Sequence, residues 1–557
     1  MANASPRPRP RALAILPEEQ AAAAMELRRD LGLKSLTMAV VTGTIGSGWL
    51  FASYFAAKSA GAISLPAWGL GGVIAFLLAL VFAELGSLIN SSGALAQIPL
   101  LSHGRLAGFI GGWSIWISYL CVPTIELLAM IDYLASSVPW LTRDQHGVQV
   151  LSGPGLAVAF ALMLLFTWIN LNGIKGLARW IDNLTIWKLI VPLLVAGVLM
   201  ALSGHWGNLQ IPVHHATQVA AGGNGPALDL MAAVGSGGIL FCLLGFRTAV
   251  DLAGEARNPQ RNVPLAMGLG LGISLLIYLV LQLSFLVSVP PDLLQNGWHH
   301  LQLNQHGGPL AALALGLGLG WMVVLLLIDA ALSPSATAMA YLGVSARVSW
   351  MMGRCQLLPK RFGHVNRKGV PDVAVMASLV VGAAMLLVGP GWQQVVAFLT
   401  AAQMIALAMG PPSLLALRRQ LPNETGHFQL RWATVISALA FVAASWACNW
   451  CGRIALEGAV VAIGLPSLIY ATACWIRRQP IDTRAGAWWA LYLGVLVLDM
   501  ELFSAGRPLA LGTGMHLLVL AGLSLLVLPV AVHTALPVVS PHALTSLGTT
   551  TAAATSR

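Results

Sequence analysis

The chain has 557 residues, of which 57% are hydrophobic and only 9% are charged. Soluble domains carry about 25% charged residues, so this chain has too few charges to cover the surface of a soluble protein. The composition predicts a polytopic membrane protein and excludes a soluble enzyme, a disordered scaffold and a nucleic-acid partner. The net charge of +10 should therefore report membrane orientation.

Residues 1–30 are rich in Pro, Arg and Ala and are expected to form a disordered cytoplasmic tail. Hydrophobic runs of about 17–25 residues mark membrane-spanning helices. We number fourteen such segments in chain order, and expect about 12–14 spans because segment 13 is short and ends in Asp499 and Glu501. The segments are 33–57, 63–89, 105–138, 152–171, 184–203, 228–254, 263–289, 309–344, 373–389, 392–417, 431–450, 454–476, 486–503 and 513–534.

The positive residues predict how these segments cross the membrane. With a cytoplasmic N-terminus, nearly all Lys and Arg outside the segments fall on the inner side, as the positive-inside rule requires. The outer side keeps only Lys58, Arg143, Arg453 and Arg507. We therefore expect a multi-pass protein of the inner (cytoplasmic) membrane, in contact with the lipid bilayer.

Two segments are interrupted by glycine at matching places. Segment 1 contains Gly43, Gly46 and Gly48, and segment 6 contains Gly235, Gly237, Gly238 and Gly245. One segment is odd-numbered and the other even-numbered, so they cross in opposite directions. Paired discontinuous helices in inverted halves indicate the binding site of a secondary transporter. The alternative is close helix packing at small residues.

Three stretches resemble the amino acid–polyamine–organocation (APC) superfamily of permeases. They are GTIGSGWLF at 43–51, FAELGSLIN at 82–90 and GFRTAVDLAGEARNPQRNVP at 245–264. Three others are similar, more narrowly, to the bacterial aspartate–proton symporters of that superfamily. They are SHGRLAGF at 102–109, PTIELLA at 123–129 and LGLGWMVVLLLIDAALSP at 317–334. The resemblance extends from about residue 30 to about residue 530.

The resemblance implies an all-α, APC-like fold with a five-plus-five inverted repeat of helices. We expect a ten-helix transport core at 31–420, accessory helices at 421–535 and a C-terminal tail at 536–557. Access to the two sides of the membrane would alternate around segments 1 and 6.

The resemblance also implies where an amino acid binds. Its α-carboxylate would meet the backbone of the first break, and its amino group would meet carbonyls freed in segment 6. Free amides at a broken helix make an anion site. The first set is Thr44, Ile45, Gly46, Ser47 and Gly48, and the second region holds Leu240, Phe241, Leu244 and Gly245. The rings of Phe241, Phe246 and Trp49 are candidates to close the cavity.

Arg247 follows the presumed break of segment 6, where an intramembrane charge is costly and therefore a candidate for function. A guanidinium can hold a carboxylate in a forked pair, so Arg247 could fix the side-chain carboxylate of aspartate or glutamate. The alternative is a structural ion pair with Asp251 or with Glu126.

Proton coupling has three candidates: Lys188, Glu126 and Asp329. In similar proton-coupled permeases a lysine at the position of Lys188 replaces a bound sodium ion, and a desolvated ammonium can exchange its proton near neutrality. The alternative is that Lys188 extends to the inner surface. Glu126 could accept a proton, and Asp329 lies in a region that lines the ion site of related folds.

These observations favour a secondary active transporter that carries an acidic amino acid, such as aspartate or glutamate, in symport with protons. We expect it to work as a monomer or homodimer without cofactor or metal. The first alternative is an exchanger, or a permease for neutral or cationic amino acids or polyamines, on the same fold. A membrane-embedded enzyme or receptor is the other. It would need a clustered nucleophile and base, as in GxSxG, or a metal motif such as HExxH, and the sequence has neither motif.

Overall fold

The computed structural model describes residues 31–89, 93–145, 148–172, 177–213, 225–303, 307–366, 370–388, 391–422, 427–504, 509 and 511–539. The expected N-terminal tail at 1–30 and most of the C-terminal tail lie outside these residues. The described part is a helical bundle, as expected of an all-α membrane protein. By length and apolar composition it holds eleven helices able to cross a membrane, or twelve if one bent pair is a single span.

Each predicted segment coincides with a helix or with a set of consecutive helices. Segments 1–7 are Leu33–Thr44 with Gly48–Ala60, Ser64–Leu88, Ala94–Leu134, Gly153–Asn172, Leu177–Ser203, Pro226–Val234 with Ile239–Leu243 and Arg247–Asp251, and Pro259–Ser288. Segments 8–14 are Pro309–Gly316 with Gly320–Arg354, Asp372–Leu387, Trp392–Leu407 with Gly410–Gln420, Ala433–Trp450, Arg453–Ile476, Trp488–Phe503 and Thr513–Thr534. An antiparallel hairpin, β1 (Thr142–Gln145) and β2 (Val148–Leu151), joins segments 3 and 4.

The count by length is below fourteen because some segments are short or broken. The halves of segment 1 have 12 and 13 residues, and segment 9 has 16. A single helix needs about 20 residues to cross the hydrocarbon core, so the first half of segment 1 and segment 9 are too short to count. The second half of segment 1 is counted with segment 2, as Gly48–Leu88.

One helix start differs from the hydropathy prediction. Segment 3 has the predicted start near 105, because the backbone of Gly104 (φ 81°, ψ −165°) is not helical and divides Ala94–Leu134 into two parts. The part before Gly104 carries polar residues buried against other helices; His103 Nε2, for example, lies 3.0 Å from the Ala531 carbonyl oxygen. Segment 5 begins at Leu177 rather than at 184. Lys188 consequently sits in the middle of its helix instead of near the membrane surface.

The packing agrees with the inverted repeat, since four pairs of segments five apart in the chain lie side by side: 1 with 6, 2 with 7, 3 with 8 and 4 with 9. Segment 3 packs along segment 8, and segment 2 packs along segment 7. Segment 1 packs against segment 7 and against the short helices of segment 6. The two interrupted segments therefore lie together inside the bundle.

We call the end of the bundle that holds Leu31 the N-terminal face, and the other end the opposite face. On the N-terminal face the Leu31 amide donates to the Glu255 carbonyl at 3.1 Å, and the Arg257 amide donates to the Leu31 carbonyl at 2.8 Å. Arg347 lies 3.5 Å from the Glu255 carboxylate. These contacts join the chain before segment 1 to the chain after segment 6 and close this face.

Candidate functional site

The break in segment 1 lies between Thr44 and Gly48, at the predicted place. The Ser47 amide donates to Glu126 Oε2 at 2.8 Å. A Cβ added at Gly46 would lie 2.5 Å from Glu126 Oε1, so only glycine lets this carboxyl group approach the backbone so closely. The expected anion site at the break is therefore occupied by a carboxyl group of segment 3.

Tyrosines from neighbouring segments satisfy the carbonyls that the break frees. The Tyr278 hydroxyl donates to the Thr44 carbonyl at 3.0 Å, and the Tyr341 hydroxyl donates to the Gly43 carbonyl at 3.3 Å. A buried carbonyl at a helix end needs such a partner. The break is thus held open by segments 7 and 8 rather than by solvent.

Segment 6 bends at Gly238, one of its predicted interruptions, just before the region around Leu240 and Gly245 that was expected to meet the amino group. The helix ends at Val234, turns by 45° and resumes at Ile239, after Gly238 with φ 91°, which favours glycine. A second interruption, a 3₁₀ turn, covers Leu244–Phe246 and so includes three predicted site residues. This turn contacts segment 1: a Cβ on Gly245 would lie 2.5 Å from the Thr44 amide nitrogen.

Lys188 is fully buried and links three segments. Its ammonium donates to Thr337 Oγ1 at 2.6 Å in segment 8 and lies 3.4 Å from the Thr42 carbonyl in segment 1. The side chain therefore does not extend to a membrane surface. It ties the first half of segment 1 to segment 8, immediately before the break.

Two buried carboxyl groups act on the Lys188 ammonium, those of Glu126 and Asp329. Asp329 accepts hydrogen bonds from the indole nitrogens of Trp49 at 3.0 Å and Trp187 at 2.7 Å. Trp49 is consequently held against segment 8, so it is not the ring that closes the cavity. One cation and two acids thus form a buried charge cluster around the break.

Arg247 is 2% exposed and is not in an ion pair with Asp251 or Glu126 within the described residues. Its guanidinium carbon lies 4.6 Å from the Tyr119 ring centroid and 5.5 Å from that of Tyr341, in cation–π geometry. The Tyr119 hydroxyl donates to Asp251 instead. Nε and Nη1 of Arg247 are buried without a hydrogen-bond partner.

The ring that covers the break was missed from the sequence: it is Trp392, at the start of segment 10. Its indole nitrogen donates to Ser47 Oγ at 3.1 Å. The ring stacks on Phe51 and Phe55, with centroids 5.1 and 5.5 Å apart, and meets Phe241 edge-on at 5.9 Å. Phe246 is fully buried in the 3₁₀ turn of segment 6. Nothing in the local sequence distinguishes Trp392 from the other tryptophans.

Beyond Trp392, on the opposite face, lies a cavity of about 250 Å³ that we call the vestibule. Its lining includes Phe51, Phe55, Lys58, Asp132, Gln149 and Trp392. Trp392 therefore separates the vestibule from the break in segment 1. Together with the closed N-terminal face, this arrangement leaves the break shut off from both ends of the bundle.

Across the described residues, no group of three or more His, Cys, Asp or Glu side chains could hold a metal ion. The cation of the buried charge cluster around the break is the Lys188 ammonium.

Known proteins with similar sequences are amino acid transporters. A family model described as "Amino acid permease" matches residues 31–497. The glutamate/serine transporter AimA of Bacillus subtilis is 33% identical over 84% of this chain and 86% of its own length. The aspartate-proton symporter of the same organism is 28% identical over 85% of this chain and 89% of its own length.

A crystal structure of a mutant manganese transporter from Eremococcus coleocola matches 88% of this chain and 95% of its own, with a TM-score of 0.49 and 13% identity.

Proposed function

Because the chain belongs to the amino acid permease family, we propose that it imports an acidic amino acid, aspartate or glutamate, together with protons. Membership in this family makes it a multi-pass membrane transporter of amino acids rather than an enzyme. The proposal includes the coupling ion, the acidic substrate and the inner membrane as the location. It also includes a cytoplasmic N-terminal face, which is inferred from the distribution of Lys and Arg.

The observation that carries the proton coupling is the hydrogen bond from the Ser47 amide to Glu126. An ionised Glu126 occupies the amides that a substrate carboxylate needs, and the two anions repel each other. A proton on Glu126 removes that repulsion and weakens its hold on the amide, so that the substrate carboxylate can take its place. Proton binding and substrate binding at the break are thereby linked.

Lys188 supplies the second part of the coupling. In its charged form it bonds segment 1 through Thr42 and segment 8 through Thr337, and it balances the nearby carboxyl groups. Loss of its proton weakens that tie, because a neutral amine is a poorer donor than an ammonium. Segment 1 can then move relative to segment 8, as alternating access requires.

Arg247 is the candidate that selects an acidic substrate. Tyr119, over which its guanidinium stacks, precedes Glu126 by seven residues, or about 10 Å along the helix axis. Arg247 thus lies on the N-terminal side of the break, and its free Nε and Nη1 could bind a side-chain carboxylate that points towards that face. The names of the two Bacillus relatives, which mention glutamate and aspartate, agree with this choice.

A neutral substrate such as serine is the second candidate. It is favoured by the name of the glutamate/serine transporter, the relative with 33% identity. The segment 1 amides and segment 6 bind only the α-carboxylate and α-amino groups, which all amino acids share. A permease for serine would use the same break without requiring Arg247.

The proposal is tested by uptake of labelled aspartate into liposomes that contain the purified protein. We expect accumulation above equilibrium when the pH outside is lower than the pH inside, and equilibration only without the gradient. Glutamate should compete, whereas leucine and arginine should not. Uptake of another amino acid in vesicles that do not take up aspartate would leave the family in place and reject the acidic substrate.

Replacing Arg247 by Ala is expected to lower kcat/KM for aspartate by about 100-fold, the usual effect of removing one partner of a buried charge pair. Arg247→Lys keeps the charge but loses the forked geometry, so it should recover only part of the activity. Yield and thermal melting of the purified variants control for folding. Unchanged aspartate uptake in Arg247→Ala would mean that Arg247 serves the structure through its contacts with Tyr119 and Tyr341.

A further inference from the structure

We propose that the vestibule is a second binding site for the transported amino acid, in which Lys58 binds the carboxylate and Asp132 binds the ammonium group. The site would hold the substrate on the opposite face before Trp392 moves. The proposal rests on the proposed function only for the choice of aspartate as the amino acid. It requires no particular coupling ion.

The first argument is the pair of opposite charges that face one cavity. Lys58 ends the helix Gly48–Ala60 and Asp132 lies near the end of segment 3, and both are half-buried in the vestibule lining. Within the described residues, neither group makes a hydrogen bond or an ion pair; Lys58 only lies 5.8 Å from the Tyr54 ring centroid. An unpaired cation and an unpaired anion in the lining of one cavity match the two charged ends of an amino acid.

The second argument is an unused acceptor on the hairpin. Gln149, on β2, also lines the vestibule, and its Oε1 is buried without a hydrogen-bond partner. The amides of Gln393 and Gln394 are engaged instead, with the Ser236 carbonyl at 3.3 Å and the Gly391 amide at 3.1 Å. An ammonium group has three donors, which Asp132 and Gln149 together could satisfy.

The third argument is the position of the vestibule on the route to the break. Trp392 forms its floor and at the same time donates to Ser47 Oγ. A ligand seated on this ring therefore needs only the movement of Trp392 to reach the segment 1 amides. A volume of about 250 Å³ is roughly eight times the share of one water molecule, which is room for one small amino acid.

Lys58 and Asp132 bind groups that every amino acid carries, so the vestibule should not distinguish aspartate from serine. Selection between amino acids would be left to the site at the break in segment 1. The vestibule would instead raise the local concentration of substrate above Trp392, which lowers KM and leaves the maximal rate nearly unchanged.

The test is the stoichiometry of labelled aspartate bound to the full chain in lipid nanodiscs, measured by equilibrium dialysis. We expect two aspartates per wild-type chain, and one per chain in Lys58→Gln and in Asp132→Asn. In liposomes each variant should raise KM for uptake by about tenfold, with the maximal rate within about twofold of wild type. Arg143→Gln, an exposed cation on β1 outside the vestibule lining, should still bind two.

One aspartate bound per wild-type chain, with the same number in Lys58→Gln, would overturn the inference while leaving the proposed function intact. Two aspartates bound by both variants would overturn it as well. If wild type binds labelled serine but not aspartate, the acidic substrate is rejected, and the serine stoichiometry of the same variants then decides for or against the vestibule.

Discussion

Lys188→Ala should reduce proton-driven uptake by about 100-fold or more and remove its dependence on the pH gradient. The substitution deletes the hydrogen bonds to Thr337 and Thr42 and leaves two buried carboxyl groups without their cation. Leaving a buried charge without compensation typically costs about 3–5 kcal/mol, and each 1.4 kcal/mol is a factor of ten. The measurement is initial uptake into liposomes over a series of external pH values.

Two further variants separate coupling from folding. Lys188→Met keeps most of the side-chain volume and should behave like Lys188→Ala if the charge is what matters. Lys34→Ala removes an exposed lysine of segment 1 and should leave the pH dependence as it is. A pH dependence that survives in both Lys188 variants would show that another group carries the proton.

Glu126→Gln is expected to abolish accumulation against a gradient while sparing exchange of aspartate across the membrane. The glutamine carbonyl can still accept from the Ser47 amide, so the break keeps its shape, but the side chain no longer takes up a proton. Substrate should then equilibrate rather than concentrate, at every external pH. Vesicles preloaded with unlabelled aspartate measure the exchange directly.

Glu457→Gln is the matched control, because Glu457 pairs on the surface with Arg453 and should not affect transport. If Glu126→Gln still accumulates aspartate under a proton gradient, Glu126 is a structural cap of the break. If it loses exchange as well as accumulation while remaining folded, then the carboxylate itself is needed to hold segment 1. Either result would contradict the coupling that we propose.

Hydropathy and glycine spacing predicted the positions of the segments and the break in segment 1, because a bilayer core requires long apolar runs and clustered glycines interrupt a helix. Glycine spacing also included Gly238, where segment 6 bends, among the interruptions of that segment. Hydropathy and glycine spacing did not predict where segment 5 begins, since helix ends depend on partners distant in the chain. Nor could they predict that Trp392 covers Ser47. That contact joins residues 345 positions apart, and only the packed bundle brings them together.

The contacts that close the N-terminal face can also be followed by experiment. Two of them are main-chain hydrogen bonds, from the Leu31 amide to the Glu255 carbonyl and from the Arg257 amide to the Leu31 carbonyl. Side-chain substitutions other than proline leave these donors in place, and each amide exchanges its hydrogen for deuterium only when its bond opens. The exchange rates of Leu31 and Arg257 in heavy water should therefore report how often this face opens, in the unlabelled wild-type protein and with or without substrate.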